Sequence, residues 1–501
     1  MNFFLSGWRP RRAAPLPDRI LPALIVLIST LTLFLPVTPV PAFCQGASKE
    51  KTSHTDPGDS NQQELRRRVQ NEQAAVQAAE PQAIADASQK LVALALRTVG
   101  EWRLRQAAYA QAAQLFRISL ELEDAPQARS GLSTTRDRAQ QAGHPLPADL
   151  DSVDTAAEPP AGALKSSRLS PAQLRLGDAQ ERKLRKILAS SYNDWGTAEA
   201  RQQKYSQAMV HFHEAERWNR STPGLMRNIG LAAVKLGDDK EAARALRLAV
   251  QREPKDTACQ TLLAMSLFST QQYAEAARHF EAVRDSALSD PQITYAWAFS
   301  LSRSNQPKEA RLLLNKLNAQ PLSAEMLVAV GEAYSAMGNY SDALTCFRKA
   351  IALDSNIKKA HDDAGSALLR LDRPAEAIPE LQAELKINPG DPDVQYRLAY
   401  ALMQTSQPDR AVPLLREILS AHPNHARARY DLGKELFRNG NTDEAIQNLE
   451  AAANLDPDRD YIHYQLQAAY RKAGRLQDAE RELKLYREIK AHNRQRPAPK
   501  F

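Results

Sequence analysis

An all-α solenoid of about nine to ten stacked helix–turn–helix repeats is the fold that this 501-residue sequence predicts, on three observations. Alanines fall at Ala208, Ala242, Ala276, Ala310, Ala343, Ala377, Ala411, Ala445 and Ala479, every interval being 34 residues except one of 33. Four residues after each stands a large apolar residue: Phe212, Leu246, Phe280, Leu314, Phe347, Leu381, Leu415, Leu449 and Leu483. Twelve residues before each stands Gly or Ala (Gly196, Gly230, Ala264, Ala298, Gly331, Gly365, Ala399, Gly433), with Gln467 as the exception. Small residues let two helix axes cross closely, and the large ones fill the space beside them. One such pair cannot bury its apolar face alone, so successive pairs must stack.

The chain divides in order. In residues 1–44, Arg9, Arg11, Arg12 and Arg19 precede an apolar run from Ile20 to Leu35, then Pro36, Pro39, Pro41 and Ala42-Phe43-Cys44. A basic stretch, an apolar core and small residues at −3 and −1 are the parts of a secretory signal, with Gln45 as the first mature residue. The alternative is an uncleaved signal anchor, although the run of 16 residues is short of the ~20 that span a bilayer. Residues 45–62 are polar and read as a flexible leader. Residues 63–142 have amphipathic helical spacing, and 143–169, rich in Pro and Asp, read as a linker. Ser170, Pro171 and Gln173 then form a helix-start signature: N-cap, first-turn proline and capping box. Repeats fill 170–493, with Pro254, Pro389, Pro423 and Pro457 ending second helices. A basic tail, 494–501, closes the chain.

These repeats resemble the tetratricopeptide family of 34-residue helix–turn–helix units. The unit from Ala324 to Asn356 shows the pattern best, with Val330-Gly331, Tyr334, Gly338, Tyr340, Ala343, Phe347 and Ala350. Nine contiguous units cover 189–493, and an outlying tenth covers about 93–126, with Val99-Gly100, Tyr109, Ala112 and Phe116. Glu384, Arg220, Leu288 and Ser355 depart from the family pattern, and the short unit at 291–323 ends irregularly at 319–323. The resemblance implies a superhelix whose first helices line a concave groove, and a scaffold that binds a protein or an extended peptide through it.

The resemblance also places Tyr295, Phe299, Tyr396, Tyr400, Tyr430, Lys434, Phe437, Arg438, Tyr464 and Arg471 on that groove, near Met265, Phe268, Arg427, Tyr461 and Lys472. Aromatic side chains interleaved with Arg and Lys suit an extended peptide with apolar and acidic side chains. In a competing reading, the tyrosines at one repeated position, Tyr396, Tyr430 and Tyr464, pack against the neighbouring helix.

Other chemistry finds little support. The net charge of +7 is small for this length, and residues 1–44 carry +3 of it, so bulk charge does not favour nucleic acid. The stretch from Arg471 to Phe501 holds ten Lys and Arg against four Asp and Glu. It reads as the solvated cap of the array or as a contact for an acidic partner or lipid. No phosphate-cradling Gly-rich loop and no Gly-x-Ser-x-Gly occurs, so no catalytic residue, cofactor or metal site is assigned. His211 and His213 are two apart on a helix and point to different faces, and His422 and His425 bracket Pro423 in a turn. Cys259 and Cys346 read as small apolar fillers in different repeats. The expectation is an exported, periplasmic or secreted scaffold. The alternative is a membrane-anchored protein that organises an envelope assembly for secretion, pili or polysaccharide; membrane contact arises only if the signal stays uncleaved. An enzyme with an unrecognised groove site is the third class.

Overall fold

The computed structural model describes residues 57–147, 150 and 170–495. The signal segment 1–44, leader residues 45–56, nearly all of the linker beyond Pro147 and residues 496–501 of the tail lie outside the described residues. The helices are α1 (Pro57–Ala78), α2 (Pro81–Arg105), α3 (Tyr109–Leu122), α4 (Pro126–Gln141), α5 (Pro171–Arg201), α6 (Tyr205–Asn219), α7 (Leu225–Leu236), α8 (Asp239–Arg252), α9 (Thr257–Ser269), α10 (Tyr273–Ala282), α11 (Arg284–Ser289) and α12 (Pro291–Arg303). They continue as α13 (Pro307–Asn318), α14 (Ala324–Ala336), α15 (Tyr340–Leu353), α16 (Ala360–Arg370), α17 (Pro374–Ile387), α18 (Pro392–Gln404), α19 (Pro408–Ala421), α20 (Ala426–Arg438), α21 (Thr442–Leu455), α22 (Asp460–Lys472) and α23 (Leu476–Gln495). No strand occurs among the described residues. The chain forms two compact bodies that divide after Ser300, inside α12.

The small-against-large pairing is what sets each helix pair. A Cβ on Gly331 would lie 2.5 Å from the Phe347 ring, one on Gly230 2.5 Å from Leu246, and one on Gly365 2.7 Å from Leu381. Only glycine leaves room for the second helix at those distances. The alanines of the 34-residue series from Ala208 to Ala445 are fully buried, as are the large residues from Phe212 to Leu449. Each first helix ends on a left-handed residue at one register. Glycine takes it at Gly237, Gly338, Gly440 and Gly474, but Gln203, Gln271, Asn305, Asp372 and Ser406 also adopt it, with φ from 58° to 64°. The 34-residue geometry thus overrides a conformation that non-glycine residues disfavour by about 1 kcal/mol.

A second device joins successive repeats. The carbonyl two residues past the end of a second helix lies in the turn before the next repeat, outside any helix hydrogen-bond ladder. A side chain in the following first helix reaches back six residues to it. Gln260 Nε2 donates to the Pro254 carbonyl at 3.2 Å, Gln395 Nε2 to Pro389 at 3.3 Å and Arg429 Nε to Pro423 at 2.6 Å. His463 Nε2 meets the Pro457 carbonyl at 2.8 Å, and His361 Nε2 meets Ser355 at 3.2 Å. The other ring nitrogen of each histidine faces a carboxylate on its own second helix, Glu482 or Glu380, at 2.7 Å.

In the N-terminal body the early helices join the repeats. Val92, Ala95, Leu96 and Val99 of α2 share one apolar core with Leu184, Leu188 and Tyr192 of α5. Arg103 pairs with buried Glu181 at 2.5 Å. Ser170 caps α5, accepting from the Gln173 amide at 3.3 Å while Gln173 Oε1 accepts from the Ser170 amide at 2.9 Å. Helix α1 begins at Pro57, so the end of the expected leader is helical; proline opens a helix without losing a bond it would have made. The second helix of the repeat at 257–290 is broken at Val283 into α10 and α11. In the C-terminal body the irregular 319–323 link is bridged by the Tyr334 hydroxyl, which donates to Asn315 Oδ1 at 2.6 Å.

The array also ends in a sequence-coded way. Ile446 and Ala453 of α21 are buried in the core that holds Ile462 of α22. The residues 34 positions later, Glu480 and Arg487, are exposed, so α23 offers charge where a further repeat would need an apolar face.

Candidate protein-binding face

In the C-terminal body, adjacent first helices are tied side by side through one repeated face. Arg397 of α18 holds Asp362 of α16 with two bonds of 2.6 Å. The Tyr396 hydroxyl of α18 donates to Asp431 of α20 at 2.7 Å. The Tyr430 ring of α20 lies 4.8 Å from that of Tyr461 on α22, edge to face, and Lys472 of α22 sits 5.0 Å over the Phe437 ring of α20.

The expected binding residues separate into two groups on this face. Tyr396 and Tyr430 are buried, because the next repeat covers each of them. Tyr464 occupies the equivalent place in the last described repeat, where no described helix covers it, and is 55% exposed beside Tyr486. The repeated tyrosine is therefore an inter-repeat packing element, and only its last copy is open. Arg427, Arg438 and Arg471 are exposed, and Tyr400, Lys434 and Phe437 are half-buried. Burial pushes the Asp431 carboxyl up to about 6, against the hydrogen bond from Tyr396.

The N-terminal body places its expected residues differently. Tyr295 is 1% exposed, and Met265 and Phe268 are also buried. Phe299 is half-buried in a cluster with Phe268, Tyr273 and Tyr295, at ring separations of 5.7, 5.6 and 6.1 Å. Tyr295, Met265 and Phe268 are thus core residues rather than a ligand surface: the aromatic rings bury one another.

Acidic residues on the same face of the C-terminal body escaped the sequence reading. Asp362 and Asp363 of α16 lie near Glu332 of α14. Asp362 is matched by Arg397, whereas Asp363 Oδ2 is buried without a hydrogen-bond partner. Burial first, then Glu332 and Asp362, holds the Asp363 carboxyl well above the usual carboxylate range. The Asp-Asp doublet was the available signal. Glu384, noted as unusual for its register, is buried; its Oε1 accepts from the Lys359 amide at 3.3 Å at the start of α16.

Elsewhere, His213, Glu216 and Glu241 bring ligand atoms within 4.8 Å of one another. Arg244 already satisfies both carboxylates, at 2.9 Å to Glu216 and 2.6 Å to Glu241. His211 instead stacks on Trp195 at 3.9 Å, on a different side of α6 from exposed His213. Cys259 and Cys346 are free and buried, and burial pushes their thiols up to about 12 and about 11. No helix among the described residues is long and apolar enough to cross a membrane.

Tetratricopeptide-repeat profiles match residues 328–392, 396–460 and 436–496. The chain is a tetratricopeptide-repeat protein. Among solved structures, this tetratricopeptide-repeat protein is similar to MamA at 20% identity, over 33% of this chain and 97% of that one, with a TM-score of 0.31. It is similar to MamA from Desulfovibrio magneticus RS-1 at 22% identity, over 35% and 98%, with a TM-score of 0.32. It is also similar to YrrB, described as a TPR protein with an unusual peptide-binding site, at 24% identity, over 33% and 86%, with a TM-score of 0.30. Comparison with curated proteins returns no match.

Proposed function

We propose that this protein is an exported, non-catalytic scaffold that holds a partner protein through an extended segment laid on the first helices of its C-terminal body. The observation that carries the reading is that Arg427, Arg471, Lys472 and Tyr464 are exposed on α20 and α22, with half-buried Phe437 beneath Lys472. Exposed guanidinium groups beside aromatic rings offer an acidic, partly apolar segment both charge and contact area. Burial of Tyr396 and Tyr430 narrows the binding residues to those the array leaves open. Export rests on the basic, apolar and small-residue order of residues 1–44.

Charge reversal tests the binding face. Arg427→Glu with Arg471→Glu is expected to abolish partner recovery from the source cells while circular dichroism stays unchanged. Equal recovery by the variant removes these residues from the binding face. Fractionation tests export: a mature chain beginning near Gln45 in the soluble extracytoplasmic fraction supports it, and retention in membranes after carbonate washing supports the anchored alternative.

A further inference from the structure

One register of the repeat ties a first helix both to the turn before it and to the helix after it. Gln395 of α18 does so without a titratable side chain. Its amide nitrogen donates to the Pro389 carbonyl at 3.3 Å and to Glu417 Oε1 of α19 at 3.5 Å. An amide has two N–H bonds, so it serves both acceptors at any pH. His463 of α22 stands at the same register, next to Tyr464, and also meets two acceptors. Nδ1 faces Glu482 Oε2 of α23 at 2.7 Å, and Nε2 faces the Pro457 carbonyl at 2.8 Å. A neutral imidazole has one N–H, so only the protonated ring donates to both. His463 is buried, so losing the proton leaves an acceptor inside the repeat without a donor, which is unfavourable.

The charged groups around the ring favour its proton. Glu482 of α23 and Asp460 of α22 both act on it. In the turn, Asp456 pairs with Arg459 at 2.8 Å, and on α21 Glu450 accepts from the Tyr470 hydroxyl. The bond to Glu482 raises the imidazole above its ordinary 6.5, so the clasp is complete on the acid side and is lost as pH rises through the raised value. The clasp belongs to the repeat that carries half of the binding face. Helix α22 presents Tyr464, Arg471 and Lys472, and it meets α20 through Tyr461 against Tyr430 and Lys472 over Phe437. Helix α23 backs it, with Ala479 in the core that holds Ile462, Leu466 and Tyr470. No described helix follows α23, so this repeat is supported from one side and opens more readily than an inner one.

We propose that His463 is a proton-controlled clasp that regulates the binding face: its charged form holds α22 and α23 in place, keeping Arg471, Lys472 and Tyr464 in register with Arg427, and its neutral form lets the partner go. This rests on the binding reading above and adds its regulation. When the terminal repeat is in place in only a fraction of the chains, affinity falls by that fraction. The other histidine close to the face, His425, accepts from the Ala428 amide at 3.1 Å, which is a role of the neutral ring.

The probe is a fluorescent peptide of aspartate, leucine and tyrosine, and its affinity for the full chain is read by anisotropy from about pH 6 to about pH 8.5, where aspartate, arginine and lysine keep their charge. The native chain is expected to bind several-fold more weakly at the alkaline end, with faster amide exchange in α22 and α23. His463→Gln is expected to bind tightly throughout and His463→Ala weakly throughout, with circular dichroism reporting that the array stays folded. His361→Gln, which changes the same register of α16, is expected to keep the native profile. Native affinity that does not change with pH, a native profile kept by either His463 variant, or a profile flattened by His361→Gln overturns the regulation and leaves the binding face standing. No saturable binding at any pH, or binding unchanged by Arg427→Glu with Arg471→Glu, overturns both.

Discussion

Gly331→Ala is the substitution that probes the repeat geometry most sharply. The new methyl would stand 2.5 Å from Phe347 Cε1 and 2.8 Å from Cδ1, and Phe347 is itself buried. Carbon atoms rest at about 3.5–4.0 Å, so the ring or the helix must give by about 1 Å. Overpacking of this kind costs about 1–3 kcal/mol. The change also gains about 1 kcal/mol of helix propensity, because glycine is a poor helix former. A net loss of about 1–2 kcal/mol is therefore expected. Phe347→Leu alone opens a small cavity and costs about 1 kcal/mol. Together they recreate the Ala-and-Leu pair that the chain already uses at Ala399 and Leu415. The double variant should thus be more stable than the sum of the single losses predicts, by about 1 kcal/mol or more. Amide exchange in α14 and α15 is the suitable assay, since repeat arrays open locally rather than all at once. Gly331→Ala as stable as the native chain, or additive effects, would refute the close-crossing argument.

Two predictions concern pH. Glu72 is buried, with Ser88 Oγ donating to it at 2.6 Å and Ser191 Oγ at 3.0 Å, so it links α1 to α2 and α5. Burial, together with Asp194, raises the Glu72 carboxyl, and burial raises Asp194 as well. The folded chain then binds more protons than the unfolded one, so α1 is held best at acid pH and loosens as pH rises from the ordinary values of 4.5 and 3.8 through the raised ones. Amide exchange of α1 should follow that profile and Glu72→Gln should flatten it; a flat native profile contradicts the reasoning. His463 is raised by its bond to Glu482, so its contribution is full below the ordinary 6.5 and is lost as pH rises through the raised value. His463→Gln, the residue that Gln260 and Gln395 supply in other repeats, should keep the Pro457 bond and remove the pH dependence of α22 and α23 exchange; unchanged dependence assigns it to another group.

Much of the fold was legible because 34-residue spacing leaves a chemical trace at every repeat. Alanine, its large neighbour and its small counterpart each recur where packing demands them, and Ser170, Pro171 and Gln173 announce a helix start in their own side-chain chemistry. The left-handed turns were legible only where glycine fills them; Gln203 or Ser406 carries no such mark, since the repeat geometry imposes the conformation. The carbonyl clasps escaped notice because Gln, Arg and His do the same work at one register. The binding face was half legible. Position within a repeat identifies Tyr396, Tyr430 and Tyr464 as equivalent, but exposure depends on whether another repeat follows, which a position rule does not encode. The Asp362-Asp363 doublet marks the acidic residues in the sequence, but the unmatched oxygen of Asp363 is set by its neighbours.

The most direct test of the binding face is photo-crosslinking in the source cells from a reactive residue at position 464, with position 353 as the control. Tyr464 is exposed on a first helix, and Leu353 is 63% exposed at the end of a second helix. Capture of a partner from position 464, with none from position 353, is the predicted result. Capture from 353 with none from 464 would contradict it.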